Sequence, residues 1–250
     1  MTKHDDYRNT LRTLTDWEPF LLKESGLPGP RANLELMQAV ADEGELPLFR
    51  RFASISPEHA PTNSPEVFLV CCGVVGLGRL LADGDERQWK PLRKHANDPR
   101  WRVREAVVLG LQRLGDVDLK RLLTPMIEWG GGNWLEQRAA VAVLCEPRLL
   151  KSPAAAQATL RLLDAITSGI AAAEDRRCDE FDVLRKSLGY CWSVATVALP
   201  EKGKPLMEKW LASSDPDIRW IMRENLTKAR LARIDAAWVQ TQRAHLPNTR

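Results

Sequence analysis

The segment DPRWRVREAVVLGLQRLG, Asp98 to Gly115, begins with an Asp-Pro turn and continues with helical spacing. At about 100° per residue, Val103, Ala106, Val107, Gly110, Leu111 and Leu114 gather on one side. This predicts a helix over 100–114 with that side in the core. Opposite lie Trp101, Glu105, Val108 and Gln112. A Trp on the polar side of an amphipathic helix is informative, because an indole in water gains from being covered.

The pattern returns along the chain. A shift of 119 residues lays Asp217, Trp220, Met222, Arg223, Glu224 and Leu226 on Asp98, Trp101, Val103, Arg104, Glu105 and Val107. A shift of 81 lays Asp179, Leu184, Arg185 and Leu188 on Asp98, Val103, Arg104 and Val107. A shift of 34 aligns Gln137, Arg138, Ala140 and Val141, with Gly132 in place of the Asp. The register arginines Arg104, Arg138, Arg185 and Arg223 thus stand 34, 47 and 38 residues apart. Repeats of this length filled by two helices predict an α-solenoid. One helix pair cannot cover its own apolar face, so each repeat needs a neighbour. Asp98, Asp179 and Asp217 are expected to cap helix starts, and the arginines to reach a carboxylate of their own or the next repeat.

Outward from this segment, breakers recur at Pro61 and Pro65, Gly130 to Gly132, Ser152-Pro153, Pro200 and Asp215-Pro216. They bound helices expected at 34–43, 46–53, 66–82, 86–96, 118–129, 134–145, 154–173, 179–198, 203–212, 217–232 and 235–245. No stretch shows sustained apolar–polar alternation, so the fold class is all-α. Residues 1–65 carry net charge −3 and the remainder +6. The first part, with its Pro/Gly segment SGLPGPR (Ser25 to Arg31), reads as a helical cap with a rigid turn. A core of its own would be marginal below about 70 residues. Repeats follow over 66–232, about five of them, and a last helix and tail over 233–250, in one continuous domain.

The segment 98–115 resembles the second helix of a HEAT repeat, of the armadillo type. The whole chain is also similar to a group of uncharacterised bacterial HEAT-repeat proteins, through SGLPGPR, LEQRAAVAVLCEPRLL and WIMRENLTKARL. The HEAT resemblance implies a right-handed α-α superhelix whose second helices line a concave surface. On that surface the register places Trp101, Glu105, Gln112, Glu146, Asp182, Lys186, Trp220 and Glu224 as groove residues. Trp101–Glu105 and Trp220–Glu224 form the same Trp-x-x-x-Glu pair, one helical turn apart. An aromatic face beside a carboxylate suits a cationic group. The expected function is a non-enzymatic scaffold that grips a protein or peptide. The alternative is a distant likeness to HEAT-like alkylpurine DNA glycosylases. Those set Trp, Asp and Arg against cationic lesions, and the two Trp-x-x-x-Glu pairs are the nearest matches here.

Composition narrows the rest. The chain has 36 basic and 33 acidic residues, net +3, too balanced to announce a nucleic-acid or membrane protein. Local surpluses of +6 over 87–113 and +5 over 219–250 leave nucleic acid as a second partner class. There is no P-loop, no zinc-type CxxC or HExxH, and His4, His59, His95 and His245 are scattered, so no catalytic residue, metal or cofactor is expected. Gly73, Gly76 and Gly78 lie on a predicted helix and read as close helix packing. Cys71, Cys72, Cys145, Cys178 and Cys191 read as buried, reduced thiols of a cytoplasmic protein. The longest apolar run, Val67 to Gly78, is shorter than the roughly 20 residues a membrane span needs, and the polar N-terminus does not read as a signal peptide.

Overall fold

Fifteen α-helices and no strand make up residues 2–245, the part of the chain described by the computed structural model. The all-α class is as the sequence implies. The chain divides into two compact units, 1–118 and 119–250.

The first unit holds α1 (Lys3–Thr13), α2 (Glu18–Glu24), α3 (Leu34–Glu43), α4 (Leu46–Ala53), α5 (Glu66–Ala82), α6 (Trp89–Ala96) and α7 (Trp101–Val117). Its hub is α5, which packs against α2, α3, α4, α6 and α7, while α1 packs on α3. Every residue of α5 from Val67 to Gly78 is buried, as expected of a helix that is apolar all round. The glycines explain how so many neighbours fit. A Cβ on Gly73 would stand 2.6 Å from the Ala53 amide nitrogen and 2.7 Å from the Phe49 carbonyl oxygen. Gly78 meets Gly110 of α7 backbone to backbone. The glycine triplet is therefore a packing device.

Residues 2–65 belong to the same core. Thr2 and Asp5 form a capping box at the start of α1. Arg8 and Arg12 reach Glu43 at the end of α3, at 2.6 and 2.7 Å. The Arg12 hydrogen bond, partly opposed by burial and helped by Arg8, holds the Glu43 carboxyl below its ordinary range.

The second unit holds α8 (Leu119–Gly130), α9 (Trp134–Leu144), α10 (Pro153–Ala172), α11 (Asp179–Ala198), α12 (Pro200–Leu211), α13 (Pro216–Leu226), α14 (Ala229–Ile234) and α15 (Ala236–His245). Three helical hairpins stack here. α8, α10 and α12 form one row, and α9, α11 and α13 the other. Each helix touches the next in its row and its own hairpin partner. The shifts of 34, 81 and 119 fall on α9, α11 and α13, one row of this stack.

Asn225 stitches α13 to α11 from a fully buried position. Its Oδ1 accepts from the Ser193 N–H at 2.7 Å, and its Nδ2 donates to Leu188 O at 2.8 Å and Ile221 O at 2.7 Å. Trp192, also fully buried, donates its indole N–H to Thr167 Oγ1 at 3.2 Å.

Several expectations need correction. The helix expected over 217–232 is two helices, because Lys228 takes an extended conformation as the N-cap of α14. α1 and α2 were not located from the sequence. Cys178, expected to be buried, is exposed at the N-cap of α11. The tail expected after residue 245 lies outside the described residues.

Candidate functional site

The register arginines show what the repeat signature does locally. Asp98 does not cap α7. The N-cap is Arg100, and Asp98 accepts from the Arg100 amide at 2.8 Å. Asp98 stands two residues before that N-cap, too early to reach the helix N–H groups. Arg100, only 4% exposed, holds that carboxylate through Nε at 2.8 Å and Nη2 at 2.7 Å. Burial alone would raise the Asp98 pKa. The hydrogen bonds from Arg100 and His95 outweigh it and hold the carboxyl well below the usual range.

Arg104 donates instead to the carbonyls of Asp98 and Pro99, at 2.7 and 3.0 Å. In the second unit Asp215, not Asp217, caps α13. Asp179 stands exposed in the first turn of α11 and makes no cap. Arg185 does reach forward: its Nε lies 3.3 Å from Asp217 Oδ1, and its Nη1 3.4 Å from Asp182. Arg138 and Arg223 are half-buried on α9 and α13.

Trp101 begins α7 and is 45% exposed. It lines a cleft of about 640 Å³ in the first unit with Glu105, Leu109 and Arg102 of α7, Leu34, Glu35 and Met37 of α3, and Pro30 and Arg31 of the SGLPGPR turn. Leu34, the first residue of α3, is 50% exposed there. The turn is fixed. Gly29 N–H donates to Gly26 O at 3.0 Å, Asn33 N–H to Ser25 O at 2.8 Å, and Gly26 sits at φ 75°, where glycine is at ease.

Arg102 pins the turn to α7. Its Nη2 donates to Gly29 O at 3.1 Å and its Nε to Thr62 O at 3.0 Å, while its guanidinium lies 4.3 Å from the Trp101 ring centroid. The cleft's lining is balanced, with Glu35 and Glu105 against Arg31 and Arg102, rather than acidic as the register implied. Arg102 is spent on backbone carbonyls, whereas Arg31 and Glu35 have no ion-pair partner among the described residues. Sequence reasoning missed the whole α3 wall. Its one signal was an apolar Leu34 directly after a rigid turn.

The remaining groove residues fall differently. Gln112 is buried, at 6% exposure, and Val108 with it, so the side of α7 opposite its core stripe is open only near its start. Glu146 lies beyond the end of α9 and pairs with Arg148 at 3.2 Å, so it is not on that helix face. In the second unit, Trp220 packs on Gly189, where a Cβ would stand 3.2 Å from the indole. Arg185 covers the ring at 4.2 Å. Glu224 pairs with Lys228 at 3.5 Å, while Asp182 and Lys186 are exposed on α11. Each Trp therefore already carries a guanidinium of this chain on its ring, the place expected for an outside cation.

Among the described residues no cluster of three or more His, Cys, Asp or Glu is arranged to hold a metal ion, and no helix is long and apolar enough to cross a membrane. Burial pushes the Cys71 thiol up to about 12 and Cys72 well above its ordinary value, which makes both poor nucleophiles.

The helices define the class, an all-α fold, with stacked helical hairpins in its second unit. No protein-family model matches the chain. No curated protein sequence is similar to it. Among solved structures it is similar to a designed armadillo repeat protein, at 12% identity and a TM-score of 0.31, over 82% of this chain and 98% of that one.

Proposed function

We propose that the protein is a binding scaffold that takes a peptide segment of a partner protein in the Trp101 cleft. The observation that carries this reading is the pairing of two half-exposed apolar side chains, Trp101 and Leu34, across one cleft. Exposed Trp anchors are the residues that most often dominate binding energy. The fitting segment has one large apolar residue seated between Trp101 and Leu34 and a Lys or Arg beside it. Glu105, one turn along α7, and Glu35 on α3 would face that cation. The groove is thus a local feature of the first unit, and Trp101 acts as an apolar anchor more than as a cation platform.

Selection from a phage-displayed library of random dodecapeptides tests this. Enriched peptides should share an apolar residue flanked by a basic one. Trp101→Ala and Leu34→Ala should each weaken their binding at least tenfold, about 1.4 kcal/mol or more. Enrichment of acidic sequences, or binding indifferent to Trp101→Ala, would refute the reading.

A further inference from the structure

A second furrow, of about 620 Å³, runs between α8 and α10 in the second unit. Its floor is made by small residues, Gly130, Gly131, Ala165 and Gly169. Gly130 has a reason within the chain, because Leu162 packs directly on it. Gly169 has none. It lies exposed inside α10 without a positive φ, and apart from its own turn of helix no atom stands within 4 Å of where its Cβ would be. A glycine inside a helix costs about 1 kcal/mol relative to alanine. Glycine is favoured where something must come close to the backbone, and nothing in this chain does so here.

The walls are mostly apolar, formed by Leu162, Ile166 and Ile127, the last 53% exposed, with Gln137 of α9 the one uncharged polar side chain among them. Arg161 also lines the furrow and has no ion-pair or hydrogen-bond partner among the described residues. A volume of this size, mostly apolar with one cation, falls within the range of about 300–1,000 Å³ typical of small-molecule sites. From Ala158 to Gly169 the helix rises about 16 Å, room for an extended aliphatic chain.

We propose that this furrow binds a small amphipathic carboxylate, with an aliphatic tail laid over Ala165 and Gly169 and its carboxylate paired with Arg161. The apolar walls remove the tail from water, and the unpaired guanidinium selects the anion.

Calorimetric titration of the full chain with decanoate and with 1-decanol tests the assignment. Decanoate should bind one to one. Decanol, with the same tail and no charge, should bind on the order of fivefold more weakly, the worth of one exposed charge pair. Arg161→Gln should remove that difference. Ala165→Trp should fill the furrow and abolish saturable binding at an unchanged thermal midpoint. Gly169→Leu gives the same readout should the Trp variant fail to fold. Trp101→Ala should leave decanoate affinity as it was, which separates this site from the peptide cleft. Absence of saturable decanoate binding, equal affinity for decanol, or binding that survives both filling variants overturns the proposal.

Discussion

Replacing Asp98 with Asn keeps the size of the side chain and removes its charge, and the structure sets the consequence. Arg100 is 4% exposed. Its Nη1 donates to Ile55 O at 3.0 Å and Ala60 O at 3.3 Å, and Asp98 takes its Nε and Nη2. Without the carboxylate a guanidinium is left in the interior with its countercharge gone. Breaking one side of a buried pair costs about 3–5 kcal/mol. At the several degrees per kcal/mol of a domain near 100 residues, the first unit should melt about 10–20 °C lower. The assay is thermal and urea unfolding followed by circular dichroism, with Arg100→Met and the double variant completing a cycle. Arg100→Met should recover much of the loss in the double variant, because no unpaired charge remains. A loss under about 1 kcal/mol for Asp98→Asn, or strict additivity in the cycle, would show that water already solvates the pair.

The pH dependence follows with a definite sign. The folded Asp98 pKa lies below its unfolded value of about 3.9, so the stabilisation is full above that value and is lost as pH falls toward the folded pKa. The wild-type protein should therefore lose more stability than the Asn variant on acidification below about pH 4.

Gly78→Ala should destabilise the first unit by about 1–3 kcal/mol or more, read by urea unfolding, since its Cβ must force α5 off α7 at Gly110. Asn225→Ala should cost about 3 kcal/mol by the same measurement, because its buried hydrogen bonds to Ser193 N–H, Leu188 O and Ile221 O are lost together. Among the five thiols, Cys178 alone should react with a thiol reagent in the native protein; fast labelling of Cys71 or Cys72 would contradict their burial. Acrylamide should quench Trp101 far more than Trp192, compared in single-Trp variants.

The face of each helix was legible in the sequence; its axial position was not. Val103, Ala106 and Val107 are buried, and so are their shifted counterparts Met222, Asn225 and Leu226. A helix's facial period is written in consecutive residues. Yet Trp101 is the first residue of α7 and Trp220 the fifth of α13, because the helix starts are set by caps that the repeat does not share. That offset of one turn separates an exposed indole from one packed under Arg185. Gln112 likewise reads as surface from its helical angle and is buried, since periodicity says nothing about what lies across from a face. The role of Asp98 was misread for a similar reason. Arg100 and Arg104 are both in reach along the chain, and only three-dimensional geometry chooses between them. The α3 wall of the cleft was invisible because Leu34 and α7 line it from positions far apart in sequence.

Arg102 holds two loops that were made long before it. Its bond to Gly29 O spans 73 residues, and with Arg100 it also secures the carbonyls of Ile55, Ala60 and Thr62. At about 5–20 residues per second of synthesis, the turn at 25–33 waits about 4–15 s for its anchor to be made. During that interval α1 to α5 can begin to pack, but nothing fixes the turn against α7, and Trp101 has not yet been added. The Trp101 cleft is thus finished after the core that supports it, so a nascent chain shorter than about 100 residues carries α1 to α6 without the cleft.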